Sequence, residues 1–370
     1  DTTNYNTITA QSAGNFVIDK ANQTAVTLAG PASATFLTTP TLTIGGGSGT
    51  GAVTFDVGAS TGCTVSGNTL TVVSVSGTCD VTATKAADTN YNVASSAATA
   101  VTLVKATPTV TLAVNNSPVT YDATAKSATV AQSGASTPGA VANILTGGAA
   151  DQTTAGTYAV TANFVPTDTT NYNTITAQSA GNFVINKATP VITWANPSGI
   201  VYGTALSATQ LNASTPVAGS FVYTPAVGAL LNAGNGQTLS TDFTPTDTTN
   251  YNSVNGTTAT INVTKATPTI TWATPSSIVA GTLLSGTQLN ASANAIYNSV
   301  NTPVAGTFTY TPVSGTQVTL AGTSTLSTDF TPTDTANYNS VNGTTVVLTT
   351  VPGPISQIEL AASPTSLDIT

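Results

Sequence analysis

The chain has no arginine, no histidine, no methionine and a single glutamate among 370 residues. A catalytic triad needs an imidazole or comparable base, and phosphoryl or carboxylate clamps rely on arginine, so those chemistries are excluded by inventory. The usual zinc sets are excluded with them. Hydrolysis by paired carboxylates needs two acids converging on one bond. Here Asp168, Asp247 and Asp334 come back as single acids, one to a repeat. We therefore expect no enzyme, no catalytic residue, no cofactor and no metal. Calcium is the more serious ionic option because aspartate is nearly the only acid, but no Asp-x-Asp-x-Asp-Gly loop occurs to gather the six to eight oxygens it takes.

Charge is scarce as well, at 5% of residues. The net charge of −8 comes from thirteen aspartates and one glutamate against six scattered lysines. That is no footprint for nucleic acid, and it disfavours an anionic membrane surface. No run of about 18 apolar residues is present to span a bilayer. Yet 40% of residues are hydrophobic, which sets the chain apart from disordered sequences.

Cysteine is limited to Cys63 and Cys79, which flank a β-rich stretch. A disulfide there would close a loop worth about 3 kcal/mol and imply an oxidising, extracytoplasmic setting. The alternative is a pair of free thiols.

What the chain does have is a period. Asp-Thr-(Thr/Ala)-Asn-Tyr-Asn, or its form shortened by one residue, returns around Tyr5, Tyr91, Tyr172, Tyr251 and Tyr338 at intervals of 79 to 87 residues. Units of about 80 residues suit small β-sandwiches rather than one large core. The period divides the chain into 1–19, the end of a truncated domain, then 20–104, 105–187, 188–265 and 266–351, and finally 352–370, the start of a further domain. Residues 1–21 repeat 168–188 with one difference, Asp19 for Asn186. The incomplete ends mean either an excerpt of a longer polypeptide or completion by neighbouring copies.

Thr, Val, Ile and Phe alternate between Gly, Pro and Asn breaks, so an all-β fold with almost no helix is predicted. Tyr158, Val160, Ala162 and Phe164 should face a core, in phase with Leu239, Thr241 and Phe243, with Leu326, Thr328 and Phe330, and with Cys79, Val81 and Ala83. Asp242 and Asp329 should point outward. A turn and a final strand, such as 182–186 or 260–264, close each unit. The next begins directly through Lys105-Ala-Thr-Pro, Lys187-Ala-Thr-Pro or Lys265-Ala-Thr-Pro. Such junctions restrict the backbone, which predicts a semi-rigid rod gaining about 35 to 40 Å per domain.

Pro118-Val-Thr-Tyr-Asp-Ala-Thr-Ala-Lys-Ser-Ala and Ala155-Gly-Thr-Tyr-Ala-Val-Thr-Ala resemble the MBG-type repeat of bacterial immunoglobulin-like proteins. Ala266-Thr-Pro-Thr-Ile-Thr-Trp-Ala-Thr-Pro, with Thr331-Pro-Thr-Asp-Thr-Ala-Asn-Tyr-Asn, resembles a second common type, also present at 188–265. The resemblance implies tandem immunoglobulin-like sandwiches in a large secreted or cell-surface protein. Tyr158 resembles the tyrosine corner of such sandwiches, although Gln237 and Ser324 replace it in the next two units.

In the repeated turn, each Asp (168, 247, 334) is expected to bond the turn backbone. Each Tyr (172, 251, 338) should pack over its sandwich end with the hydroxyl wet. Trp194 and Trp272 read as core or junction packing, sugar stacking being the sharper option. An insertion at 294–301 reads as a longer loop. The boundary lysines (20, 105, 187, 265) raise a Lys–Asn isopeptide bond, but more simply end strands in solvent. Asn-x-Ser/Thr triplets at Asn212, Asn255, Asn290 and Asn342 follow from composition. The function expected is a non-enzymatic extracellular stalk or fibre component that packs on copies of itself or on another extracellular polymer. The alternative is an adhesin module taking a glycan or protein ligand through its loops.

Overall fold

The computed structural model describes residues 9–354, and no helix occurs among them. The Tyr5 turn and most of the further domain expected at 352–370 lie outside the described residues. The chain divides into two compact units, Asp1–Lys187 and Ala188–Thr370.

In the first unit one core gathers Leu42, Leu70, Val72, Val81 and Val101 around Cys63 and Cys79. Its strands are short. Val53–Asp56 pairs with Asp80–Lys85, Cys63–Ser66 with Thr69–Val72, and Ser33–Thr35 runs parallel to Thr102–Val104. A second core of Leu112, Val160, Ala162, Phe183 and Ile185 lies under a four-stranded sheet. That sheet is ordered Val119–Thr120, Ile175–Asn186, Gly156–Pro166, Gly139–Thr146.

The second unit holds two sheets of the same plan. One is ordered Ile200–Val201, Val254–Thr264, Gly234–Pro245, Gly219–Thr224, and the other Ile278–Val279, Val341–Val351, Gly322–Pro332, Gly306–Thr311. Their cores are built on Leu206, Leu239 and Ile261, and on Leu284, Leu326 and Leu348. The molecule is all-β, with immunoglobulin-like sandwiches in tandem.

The long inner strands follow the two-residue period of a half-buried sheet. Val160, Ala162 and Phe164 are buried, as are Leu239, Thr241, Phe243, Leu326, Thr328 and Phe330, while Asp242 and Asp329 are exposed. A buried threonine hydroxyl must find an acceptor. Thr241 Oγ1 donates to the Val222 carbonyl at 3.1 Å, and Thr328 Oγ1 to that of Thr309 at 3.2 Å.

Two local expectations change. The closing strands run Ile175–Asn186 and Val254–Thr264, about twice the predicted 182–186 and 260–264. Their first halves hide behind register shifts, at Ala162/Phe164 and Thr241/Phe243, where the strand swells and the sequence loses its alternation. The insertion at 294–301 is no open loop. It forms a hairpin of Ser292–Tyr297 with Val300–Pro303, because Asn298 and Ser299 both take positive φ, at 51° and 62°, as a two-residue hairpin tip requires.

Candidate functional site

The repeated turn is built on one plan wherever its full form is described. Asp168 Oδ1 accepts from the Thr170 and Asn171 amides at 3.2 and 3.1 Å, and Oδ2 from Asn171 Nδ2 at 2.8 Å. Asp247 takes the Thr249 and Asn250 amides, both at 3.1 Å, and Asn250 Nδ2 at 2.7 Å. Asp334 takes the Asn337 amide at 3.2 Å and its Nδ2 at 2.8 Å. The following tyrosine amide then donates to the aspartate's own carbonyl at 3.1 Å, in Tyr172, Tyr251 and Tyr338 alike. Donation from the Asn171 side chain holds the Asp168 carboxyl below its ordinary value.

In the shortened turn, Asp88 Oδ1 takes the Asn90 and Tyr91 amides and Oδ2 the Thr50 amide at 2.5 Å. These backbone donors, Thr50 foremost, bring its pKa down to about 2.

Each turn also zips to the start of its own sandwich. The Ala106 amide donates to the Asn171 carbonyl at 2.9 Å and the Asn173 amide returns a bond to the Ala106 carbonyl at 2.8 Å. Ala21, Ala188 and Ala266 repeat this pair with Asn90/Asn92, Asn250/Asn252 and Asn337/Asn339. The second asparagine of the motif adds its side chain: Asn173 Nδ2 reaches Thr107 Oγ1 at 3.2 Å, Asn252 reaches Thr189 at 3.0 Å and Asn339 reaches Thr267 at 2.9 Å. Lys105 Nζ donates to the Thr169 carbonyl at 2.6 Å and Lys265 Nζ to that of Thr335 at 2.7 Å. These two lysines fasten the turn rather than simply ending a strand in solvent.

The remaining groups of the motif face the preceding sandwich. Within the first unit the Val75 amide donates to Asn171 Oδ1 at 2.9 Å, and the Tyr172 ring stands edge-to-face on Phe36, centroids 5.4 Å apart at 83°. Within the second unit the Ala233 amide donates to Asn337 Oδ1 at 2.8 Å, and Tyr338 stands on Tyr202 at 5.3 Å and 87°. The two joints therefore use the same pair of contacts. An edge-to-face pair is worth about 0.5–1.5 kcal/mol beyond its burial, and a net hydrogen bond about 1 kcal/mol.

The turn tyrosines are expected over a sandwich end, and the rings that receive Tyr172 and Tyr338 there are Phe36 and Tyr202. Phe36 and Tyr202, like Tyr121, stand one residue past a short parallel edge strand. Each fixes its amide on the closing strand, at Val104, Asn186 and Thr264.

Tyr202 receives a second ring. Tyr297, at the end of the inserted hairpin, lies 5.5 Å from it. Burial, then the Tyr297 and Tyr338 phenols, push the Tyr202 hydroxyl up to about 12. Burial first, and Asp334 beside it, raise Tyr338 as well.

The other candidates sit elsewhere. Trp194 and Trp272 pack in the two cores of the second unit, edge-to-face on Tyr223 and Tyr310 at 5.3 Å. Their Nε1 groups donate to the Gln210 and Gln288 carbonyls. Cys63 and Cys79 are joined in a disulfide inside the first core. The Tyr158 hydroxyl donates to the Thr154 carbonyl four residues upstream at 2.9 Å. Among the described residues no three His, Cys, Asp or Glu gather as metal ligands would. An open groove of about 420 Å³ beside the second unit's joint is lined by Asn235, Thr264, Lys265 and Asn339 among others, with Lys265 its lone ionisable side chain.

No family model matches the chain, and no curated protein matches it. Among solved structures it is similar to a chain from work on the structural basis for Dscam isoform specificity, with 9% identity over 90% of this chain and 100% of that one, at a TM-score of 0.19. It is similar too to the N-terminal four Ig domains of Dscam1 isoform 1.9, with 10% identity over the same shares, at 0.18. Scores this low carry no argument. The class is defined by the molecule's own strand order and cores: a tandem immunoglobulin-like array with one core disulfide, a bond that suits an oxidising, extracytoplasmic setting.

Proposed function

We propose that this chain is a structural stretch of a bacterial surface or secreted protein, of the bacterial immunoglobulin-like and MBG-type class, serving as stalk or fibre material rather than as an enzyme. One observation carries the reading. The most repeated residues of the sequence are spent on holding sandwiches together: Asp168 and Asp334 shape the turn, Asn173 and Asn339 tie it to its own sandwich, and Asn171, Tyr172, Asn337 and Tyr338 reach the preceding one. A repeated ligand site would instead leave such groups open. The partner in this reading is a second copy or another extracellular polymer, met through a surface poor in charge and rich in Thr and Asn. Ordered filaments of the purified protein in electron micrographs, with no ligand added, are expected. Monodisperse single chains at every concentration, together with retention on a glycan array, would instead support the adhesin reading.

A further inference from the structure

The two sandwiches of the second unit share one sequence plan. Leu211-Asn-Ala-Ser-Thr-Pro-Val-Ala-Gly219 returns as Leu289-Asn-Ala-Ser292 and Thr302-Pro-Val-Ala-Gly306, split by the nine residues 293–301. Those nine build most of the Ser292–Tyr297 and Val300–Pro303 hairpin, whose tip is Asn298-Ser299. A hairpin whose tip hung in solvent would add only ordering cost. This one is docked. The Asn298 amide donates to the Gly203 carbonyl of the preceding sandwich at 2.7 Å, and the Tyr297 ring lies on Tyr202.

The receiving side is shaped for it. Gly203 has φ +90°, and a Cβ there would come within 2.5 Å of the Ile296 carbonyl oxygen and 3.1 Å of Tyr297 Cα. Gly281, its counterpart one sandwich later, has φ +97° but faces only the tip of Gln317 at 3.8 Å. Tyr202 is thus clasped from two directions, by Tyr338 of the repeated turn and by Tyr297 of the insertion. The first unit's joint has the turn contacts, Val75 to Asn171 and Phe36 to Tyr172, and no counterpart of the inserted hairpin.

We propose that residues 293–301 are a bracket: an intramolecular docking element that locks the two sandwiches of the second unit into one mechanical body, while the first unit's joint, held by the turn alone, stays freer to bend. The insertion is then a stiffening device rather than a ligand loop.

The full chain lacking 293–301 tests this, since its neighbour folds with Ser214 running straight into Thr215. In the parent chain, residual dipolar couplings of residues 188–351 should fit a single alignment tensor. In the deletion they should need two, and the Tyr202 phenol, followed by carbon-labelled tyrosine spectra, should fall from about 12 toward the ordinary 10, with Tyr338 and Asp334 remaining beside it. Gly203→Ala should speed solvent exchange of the Asn298 amide at least about tenfold, as loss of a 1.4 kcal/mol docking would. Gly281→Ala, which carries the same φ strain without the collision, should not. A single tensor surviving the deletion, or an Asn298 amide equally protected in both glycine variants, would overturn the bracket.

Discussion

Asn337 is 8% exposed, so its side chain works in a nearly dry place. One end donates to Asp334 Oδ2 and the other accepts from the Ala233 amide of the preceding sandwich. Asn337→Ala strands both partners, and leaving a buried donor unpaired costs about 1–3 kcal/mol. Urea denaturation should show a loss of that size, and Asn171→Ala should weaken the first unit's joint in the same way. Tyr202 supplies a prediction in pH. An ordinary phenol ionises near 10 and this one near 12, so folding favours its neutral form. The stability it lends is whole below pH 10 and is lost as pH rises through about 12. Tyr202→Phe should flatten the fall in melting temperature across that window, and an unchanged slope would refute the assignment. At this scale the sequence revealed which residues matter but not what they touch. The spacing of Asp168, Asn171 and Tyr172 marks an Asx-type turn by local chemistry alone. Their partners Val75 and Phe36 lie 96 and 136 residues away, where no local pattern points.

Elements were legible where burial imposed a period and illegible where the sheet departs from it. The Leu239, Thr241, Phe243 phase could be read directly, because one face of that strand is dry. The closing strands could not be read whole, since each begins with a bulge carried by a polar bond. Asp242 Oδ1 accepts from the Gly256 amide at 2.7 Å, and Asp329 Oδ1 from that of Gly343 at 2.7 Å. Gly256 and Gly343 take φ of +70° and +72°, so the amide is turned out of the ladder and the aspartate is its replacement acceptor. The equivalent Asn163 Oδ1 takes the Ala177 amide at 2.9 Å, with Ala177 at φ 51°. These outward acids are therefore strand-fixing groups as well as exposed ones. Asp242→Ala and Asp329→Ala should each cost about 1 kcal/mol, while Asp242→Asn, which keeps an acceptor oxygen, should cost less. Thermal melts of the three variants would check the order. Equal loss in Asp242→Asn and Asp242→Ala would mean that charge, not the bulge bond, is at work. The hairpin at 292–303 is illegible for the opposite reason. Asn-Ser is a weak turn signal, and the residues around it become a strand pair only with a sandwich to lean on.

At the scale of the whole molecule, stability is divided among separate cores, and the disulfide belongs to one of them. Cys63 and Cys79 join positions sixteen residues apart and pack with Leu42, Leu70, Val72 and Val81. That sandwich also lacks long strands: Asp80–Lys85, of six residues, stands in the phase of Gly156–Pro166 and Gly234–Pro245, of eleven and twelve, and its other strands, such as Thr27–Ala29 and Cys63–Ser66, are shorter still. Short strands give few ladder bonds and little buried area per element, so a covalent closure worth about 3 kcal/mol through the unfolded chain matters more there than it would elsewhere. Reduction, or Cys63→Ser with Cys79→Ser, should therefore lower one calorimetric transition and leave those of residues 188–351 in place, since no side chain of their cores touches the bond. Hydrogen exchange should locate the loss in residues 20–104. A uniform drop across all transitions would mean that the cores are coupled far more tightly than their separate packing allows. A selective drop would show that oxidation adjusts a single link of the array while its neighbours stay folded.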